Sequence, residues 1–136
     1  MATAANGVFF EDLSVGQEAS LSTTVSEADI VAFAEISGDK NPVHIDAQYA
    51  AGTMFKERIA HGMLSAAYIS AVFSMKLPGP GAIYIPVKIG DTVVTTVKVI
   101  ELIAEKKRAR FETVCSVNGK AVVQGEAVLM VPARPA

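Results

Sequence analysis

The sequence predicts an α+β domain, with helices in the first half and consecutive antiparallel strands in the second. Three observations carry this. Residues 26–37 have apolar side chains at helical spacing between a Ser cap and a Gly stop. Residues 62–75 are apolar nearly all round and end at Pro78-Gly79-Pro80-Gly81. Residues 92–131 are rich in β-branched side chains and carry Asn118-Gly119, a strong signal for a type I′ hairpin.

In order, residues 1–7 read as a leader, with Phe9-Phe10 and Leu13 tucking it onto the body. Residues 17–25 alternate Ser and Thr with Ala, Leu and Val, as a strand would. Ser26 with Asp29 three residues on is a capping box that opens the first helix, and Gly38 closes it. Asp46 caps a short helix over Ala47–Ala51, a role preferred here to a partnership with His44. The apolar helix of residues 62–75 reads as buried on every side, which in so small a chain requires a sheet wrapped around it. Strands over 92–103, 109–117 and 120–131 complete the domain. It spans residues 8–132, with short tails at 1–7 and 133–136.

The 136 residues are 51% hydrophobic, enough for one real core and too apolar for a disordered chain. A net charge of −2 argues against a nucleic-acid partner. The apolar run of residues 63–73 is too short to cross a bilayer, and nothing resembles a signal peptide. A lone cysteine, Cys115, can form no internal disulfide and reads as a small core residue, which suits a reducing cytoplasm. The cluster Lys106-Lys107-Arg108 with Arg110 reads as a solvated hairpin end, although contact with a phosphate is the sharper alternative.

The stretch most charged with chemistry is Gly38-Asp39-Lys40-Asn41-Pro42-Val43-His44-Ile45-Asp46, too short and broken to be predicted helical. In an extended strand Asp39 and His44 would face opposite ways, whereas a turn at Asn41-Pro42 can bring both to one side. An acid beside an imidazole suits proton transfer near neutral pH. The plain alternatives are an ordinary loop acid and a half-buried histidine. The other of the chain's two histidines lies in Ile59-Ala60-His61-Gly62-Met63, at the head of the apolar helix.

These two stretches together resemble the hydratase motif of the MaoC-like, R-specific enoyl-CoA hydratases. The matching residues are Asp39, Asn41, Pro42, His44 and Asp46, then Phe55, Ile59, Ala60, His61, Gly62 and Met63, and the resemblance runs from Val15-Gly16 to Gly125-Glu126-Ala127. It implies a hot-dog fold, in which an antiparallel sheet wraps a long central helix. It also implies reversible hydration of a trans-2-enoyl-CoA to an (R)-3-hydroxyacyl-CoA, linking fatty-acid oxidation to polyhydroxyalkanoate synthesis.

On this reading Asp39 and His44 are catalytic, holding one water between them. Gly62, at a helix N-terminus, offers a backbone N–H to the thioester oxygen, and its missing Cβ permits close approach. Asn41 positions the loop or the substrate, and His61 fixes the start of the helix. Ser70, two turns on, either reaches the site or packs. Lys56, Arg58 and Lys88 are candidates for the phosphates of coenzyme A, which is part of the substrate; no separate cofactor is expected. No metal is expected either, because Asp39, His44, Asp46 and His61 lack a compact ligand spacing and soft partners. Partners are the acyl-CoA thioester and a second copy of the chain.

One departure stands out. The family's strand after the central helix enters at Gly-x-Ile-Tyr and leaves at Pro-Val-x-x-Gly-Asp, but here Gly81-Ala82-Ile83-Tyr84-Ile85 runs straight into Pro86-Val87-Lys88-Ile89-Gly90-Asp91. Residues 82–85 span only ~13 Å at the usual rise of a strand, and proline cannot join an interior ladder. Most of one strand is missing between intact flanks. A second functional reading follows, a non-catalytic or impaired hot-dog module that binds acyl-CoA or a partner chain. A third is a related dehydratase acting on a carrier-protein thioester.

Overall fold

A computed structural model describes residues 7–135, so the outermost residues of both predicted tails lie outside it. The chain forms two compact units that divide between Ala82 and Ile83.

The first unit is helical. Helix α1, Glu27–Ser37, starts as predicted: Ser26 Oγ accepts the Asp29 N–H at 3.2 Å, and Asp29 accepts the Ser26 N–H at 2.9 Å. The hydrogen bonds from the Ser26 backbone and then its hydroxyl hold the Asp29 carboxyl below its ordinary 3.8. Gly38 ends α1 in the left-handed region at φ 80, where its N–H reaches the Ala34 carbonyl, a conformation that costs glycine nothing. Ile30 and Ala34, one turn apart on α1, are buried.

Two expectations need correction. The stretch read as too broken for a helix contains α2, Pro42–Ile45. Asn41 Oδ1 caps it by accepting the Val43 N–H, and Pro42 at the first position forfeits only a donor that would have no helical partner. Residues 17–25, read as a strand, form no ladder. Alternation fits a side chain to a pleated surface, but a strand also needs a partner for its backbone groups.

Asp46 does cap α3, Ala47–Ala51, accepting the Tyr49 N–H at 2.9 Å. Helix α4, Gly62–Met75, has the predicted extent, yet Leu64 is its one buried residue. Met63, Ile69 and Met75 are more than half exposed, so α4 is not buried on every side. Phe9 and Phe10 are also exposed rather than tucked in, although Gly7 and Val8 donate backbone bonds to the Pro80 and Pro78 carbonyls.

The second unit is a three-stranded antiparallel sheet of β1 (Val94–Ile103), β2 (Arg108–Val117) and β3 (Lys120–Met130), in that order. Val97 pairs with Thr113, and Glu112 with Glu126. Asn118 and Gly119 both hold positive φ, as the predicted I′ hairpin requires. Arg110 pairs with Glu101 of β1 at 3.1 Å and Glu126 of β3 at 3.8 Å, so this member of the basic cluster ties strands together. No strand forms among residues 83–93, where Pro86 interrupts the chain just after the short apolar run of residues 82–85.

Candidate active site

The site lies wholly within the first unit and is built from the ends of its helices. Ser37 Oγ donates to the Phe33 carbonyl at 2.6 Å and accepts the Asp39 N–H at 3.1 Å, fixing the chain as it leaves α1. The Asp39 carboxylate accepts the Asn41 N–H at 3.2 Å. Asn41 therefore acts twice, orienting the acid with its backbone and starting α2 with its side chain.

On the third residue of α2 sits His44, only 9% exposed. Its Nδ1 lies 2.8 Å from the Ile59 carbonyl. A carbonyl only accepts, so Nδ1 carries the proton and, in the neutral ring, Nε2 keeps a lone pair. The Ile59 N–H returns to the Val43 carbonyl at 3.3 Å, which stitches α2 to the segment leading into α4.

His61 precedes α4 and is 2% exposed, the largest fully buried side chain in the described residues. Its Nε2 lies 2.9 Å from the Asp39 carbonyl, so the same logic puts the proton on Nε2. Its Nδ1 is buried without a hydrogen-bond partner. The His44 and His61 rings lie 4.0 Å apart at 30°, and Phe33 covers His61 with ring centroids 4.9 Å apart. One ligand atom from each of Asp39, His44 and His61 falls within 4.8 Å of the others. The expectation that these groups lack a compact arrangement is corrected: the fold supplies what spacing along the chain does not.

Other predicted residues separate. A Cβ built on Gly62 meets nothing within 4 Å, so the backbone at the start of α4 borders open space. Ser70 lies exposed on α4 and makes no side-chain hydrogen bond among the described residues. Lys56 and Arg58 line an open groove of about 610 Å³ with Ser26, Glu27, Ile30 and Ala60. Arg58 is engaged there by Glu27 at 2.9 Å, while Lys56 holds φ 65, uncommon for a residue with a side chain. Lys88 belongs to the second unit, where its N–H donates to Asp91.

Sequence reasoning gave Ser37 and Phe33 no role in the site and read Ile59 only as part of the motif. The first two belong to the last turns of α1, directly before the Gly38 stop, and that proximity was a usable signal. A carbonyl acceptor such as Ile59 leaves no mark in a sequence.

A family described as "MaoC like domain" matches residues 12–124, a span that runs through both units. An "(R)-specific enoyl-CoA hydratase" of Rhodospirillum rubrum is 56% identical over 134 residues, covering 93% of this chain and 93% of the relative. Since 93% of this chain is fewer residues than the 134 aligned positions, that relative has residues without a counterpart here. The R-hydratase of Pseudomonas aeruginosa in its unliganded form matches with a TM-score of 0.55 at 44% identity, covering 94% of this chain and 88% of that one. The (R)-hydratase from A. caviae "involved in PHA biosynthesis" matches with a TM-score of 0.53 at 40% identity, over 90% of this chain and 99% of that one. The helices, the antiparallel sheet and these likenesses make the fold the α+β hot-dog fold. With a family match over most of its length and a relative of this identity, the chain belongs to the MaoC-like family.

Proposed function

We propose that the chain is an (R)-specific enoyl-CoA hydratase, a hydro-lyase that adds water across the double bond of a trans-2-enoyl-CoA to give the (R)-3-hydroxyacyl-CoA. The observation that carries this is the Asp39–His44 pair at the joint of α1 and α2, with the His44 tautomer set by the Ile59 carbonyl. A water held between carboxylate and imidazole gives one proton to this pair as its oxygen bonds to C3. The electrons of the double bond move onto the thioester oxygen as an enolate. Collapse of the enolate takes a proton at C2 from the same pair, so the addition balances and the pair is regenerated. General acid–base assistance of this kind contributes ~10²–10⁴-fold. The Gly62 N–H, at the positive end of the α4 dipole, is the donor we assign to the enolate oxygen.

Coenzyme A enters as part of the substrate, and no separate cofactor takes part in this scheme. The groove holding Lys56 and Arg58 is our choice for its phosphates. The exposed apolar side chains of α4 support a homodimer as the working form, because large exposed apolar patches mark interfaces. Residues 8–132 act as one domain in this reading, supported by a family match that spans both units. The name of the A. caviae structure supports a supply of monomers for polyhydroxyalkanoate synthesis, and a cytoplasmic setting is our expectation from the lone cysteine.

The experiment is loss of the enone absorbance of crotonyl-CoA. Wild type should consume it, while Asp39→Asn and His44→Ala should each lower kcat by orders of magnitude with unchanged circular dichroism. The double variant should be little worse than either, since groups acting as a unit are not additive. Near-normal turnover in either folded variant sinks the assignment. The absence of a strand among residues 83–93 favours a second reading, an impaired acyl-CoA-binding module. That reading expects wild type to bind crotonyl-CoA without consuming it.

A further inference from the structure

Asp39 hangs one residue beyond a glycine. Gly38 holds φ 80, and a Cβ built on it meets nothing within 4 Å, so no neighbouring atom braces this joint. Glycine adds no restraint of its own. What crosses the joint is the hydroxyl of Ser37. It accepts the Asp39 N–H at 3.1 Å while donating to the Phe33 carbonyl at 2.6 Å, one turn back on α1. A hydroxyl has one proton and two lone pairs, so both bonds form together. On the other side of the same residue, the Asp39 carbonyl accepts from His61 Nε2 at 2.9 Å. The main chain of Asp39 is therefore held at both its N–H and its C=O, and its carboxylate accepts the Asn41 N–H at 3.2 Å. A helical serine that bonds back to the carbonyl four residues earlier is common. The second bond, across a glycine to the acid, is what that habit does not explain. Ser37 is also exposed, so its hydroxyl fills no core volume.

We propose that Ser37 is a positioning residue for the hydration, holding the Asp39 carboxylate against His44 by spanning the Gly38 joint. The kinetic half of this rests on the hydratase reading; the clamp on Asp39 does not. Without the hydroxyl, the peptide between Gly38 and Asp39 is held only from the His61 side. A displacement of about 1 Å at a reacting group can cost about 10²-fold in rate. The loss falls on kcat, because the groove assigned to coenzyme A is lined by other residues.

The test compares Ser37→Ala, Ser37→Thr, Asp39→Asn and the Ser37→Ala/Asp39→Asn double variant in the full chain. Crotonyl-CoA hydration, thermal melts and NMR-detected amide exchange are the readouts. Ser37→Ala should lower kcat about 10- to 100-fold with KM near wild type. Its Tm should stay within about 2 °C, since better helix propensity offsets one exposed hydrogen bond. Ser37→Thr keeps the hydroxyl and should restore most of kcat. In the Asp39→Asn background the alanine change should cost about 2-fold or less, because Ser37 acts through that carboxylate. The Asp39 and Asn41 amides should exchange ~10-fold faster in Ser37→Ala than in wild type or Ser37→Thr. Wild-type kcat in folded Ser37→Ala, or an undiminished loss in the Asp39→Asn background, overturns the positioning role. Unchanged exchange at both amides overturns the clamp. A large fall in Tm that threonine does not repair makes Ser37 a structural residue and overturns both. If wild type leaves crotonyl-CoA untouched while the amides respond as stated, the hydratase reading fails and takes the positioning role with it, and the clamp stands.

Discussion

Replacing Gly62 by valine separates a glycine kept for a ligand from one kept for packing. The added Cβ meets no atom within 4 Å, so nothing in the chain must shift to receive it. Gly62 is also the first residue of α4, where the helix makes the least demand on propensity. Valine is a slightly better helix former than glycine, by about 0.3 kcal/mol, so the expected change in stability is within about 0.5 kcal/mol of zero. For a chain of this size that is a shift in Tm of about 2 °C. Activity should respond on another scale. A branched side chain beside the Gly62 N–H blocks the thioester oxygen from its donor, and loss of one such donor costs ~10²–10³-fold in kcat. Thermal melts followed by circular dichroism, with initial rates on crotonyl-CoA, measure both. Gly62→Ala should fall between wild type and valine. A collapse of Tm by about 10 °C with normal turnover in the folded remainder would refute the argument, because only a packing role gives that pattern.

His61→Phe keeps a ring against Phe33 but removes the donor to the Asp39 carbonyl; melts should show a loss of about 1 kcal/mol, and rates a far larger fall as Asp39 loosens. His61→Gln should recover most of the lost stability, and failure to do so would mean that this bond does not hold Asp39. Ser26→Ala removes the α1 cap and should cost about 1 kcal/mol at neutral pH. The Asp29 carboxyl is held below its ordinary 3.8, so its contribution is present above that pH and lost as pH falls through the folded value. The Ser26 N–H that holds Asp29 survives in Ser26→Ala, so wild type and variant should both lose Tm on the acid side of 3.8, and an acid-insensitive Tm in both would remove Asp29 from the account. Lys56→Glu should raise KM for crotonyl-CoA and spare kcat, with an unchanged KM excluding the groove as the phosphate site. Sedimentation at micromolar concentration should find a dimer, and a stable, active monomer would contradict the proposed cover for α4.

Local rules were legible where one short stretch contained both partners. Ser26 with Asp29, Asp46 with Tyr49, the stop at Gly38 and the Asn118-Gly119 hairpin each close within a few residues, and each stands as read. Asn41-Pro42 was misread because the pair signals two things, a turn and the cap-plus-first-position pattern of a helix start; four residues sufficed for the second. What spacing could not show was the meeting of His61 with Asp39, 22 residues apart and joined through a backbone carbonyl. The resemblance named both residues, but not the bond between them. Residues 17–25 failed as a strand because pairing is a property of two segments, and the sequence displays only one at a time.

Among the described residues of the first unit the buried side chains are Ile30, Ala34, Ala50 and Leu64 together with His44 and His61. Two imidazoles thus occupy volume that leucine or phenylalanine would fill at less cost in desolvation. A descendant released from selection for activity would gain stability by trading both for apolar residues, since stabilising changes are easiest where function has forced a compromise. Decay of this gene would leave a sturdier protein rather than a ruin. A paralogue that still carries both histidines would be under selection for chemistry, and its survival could be read from the ring pair before any substrate was known.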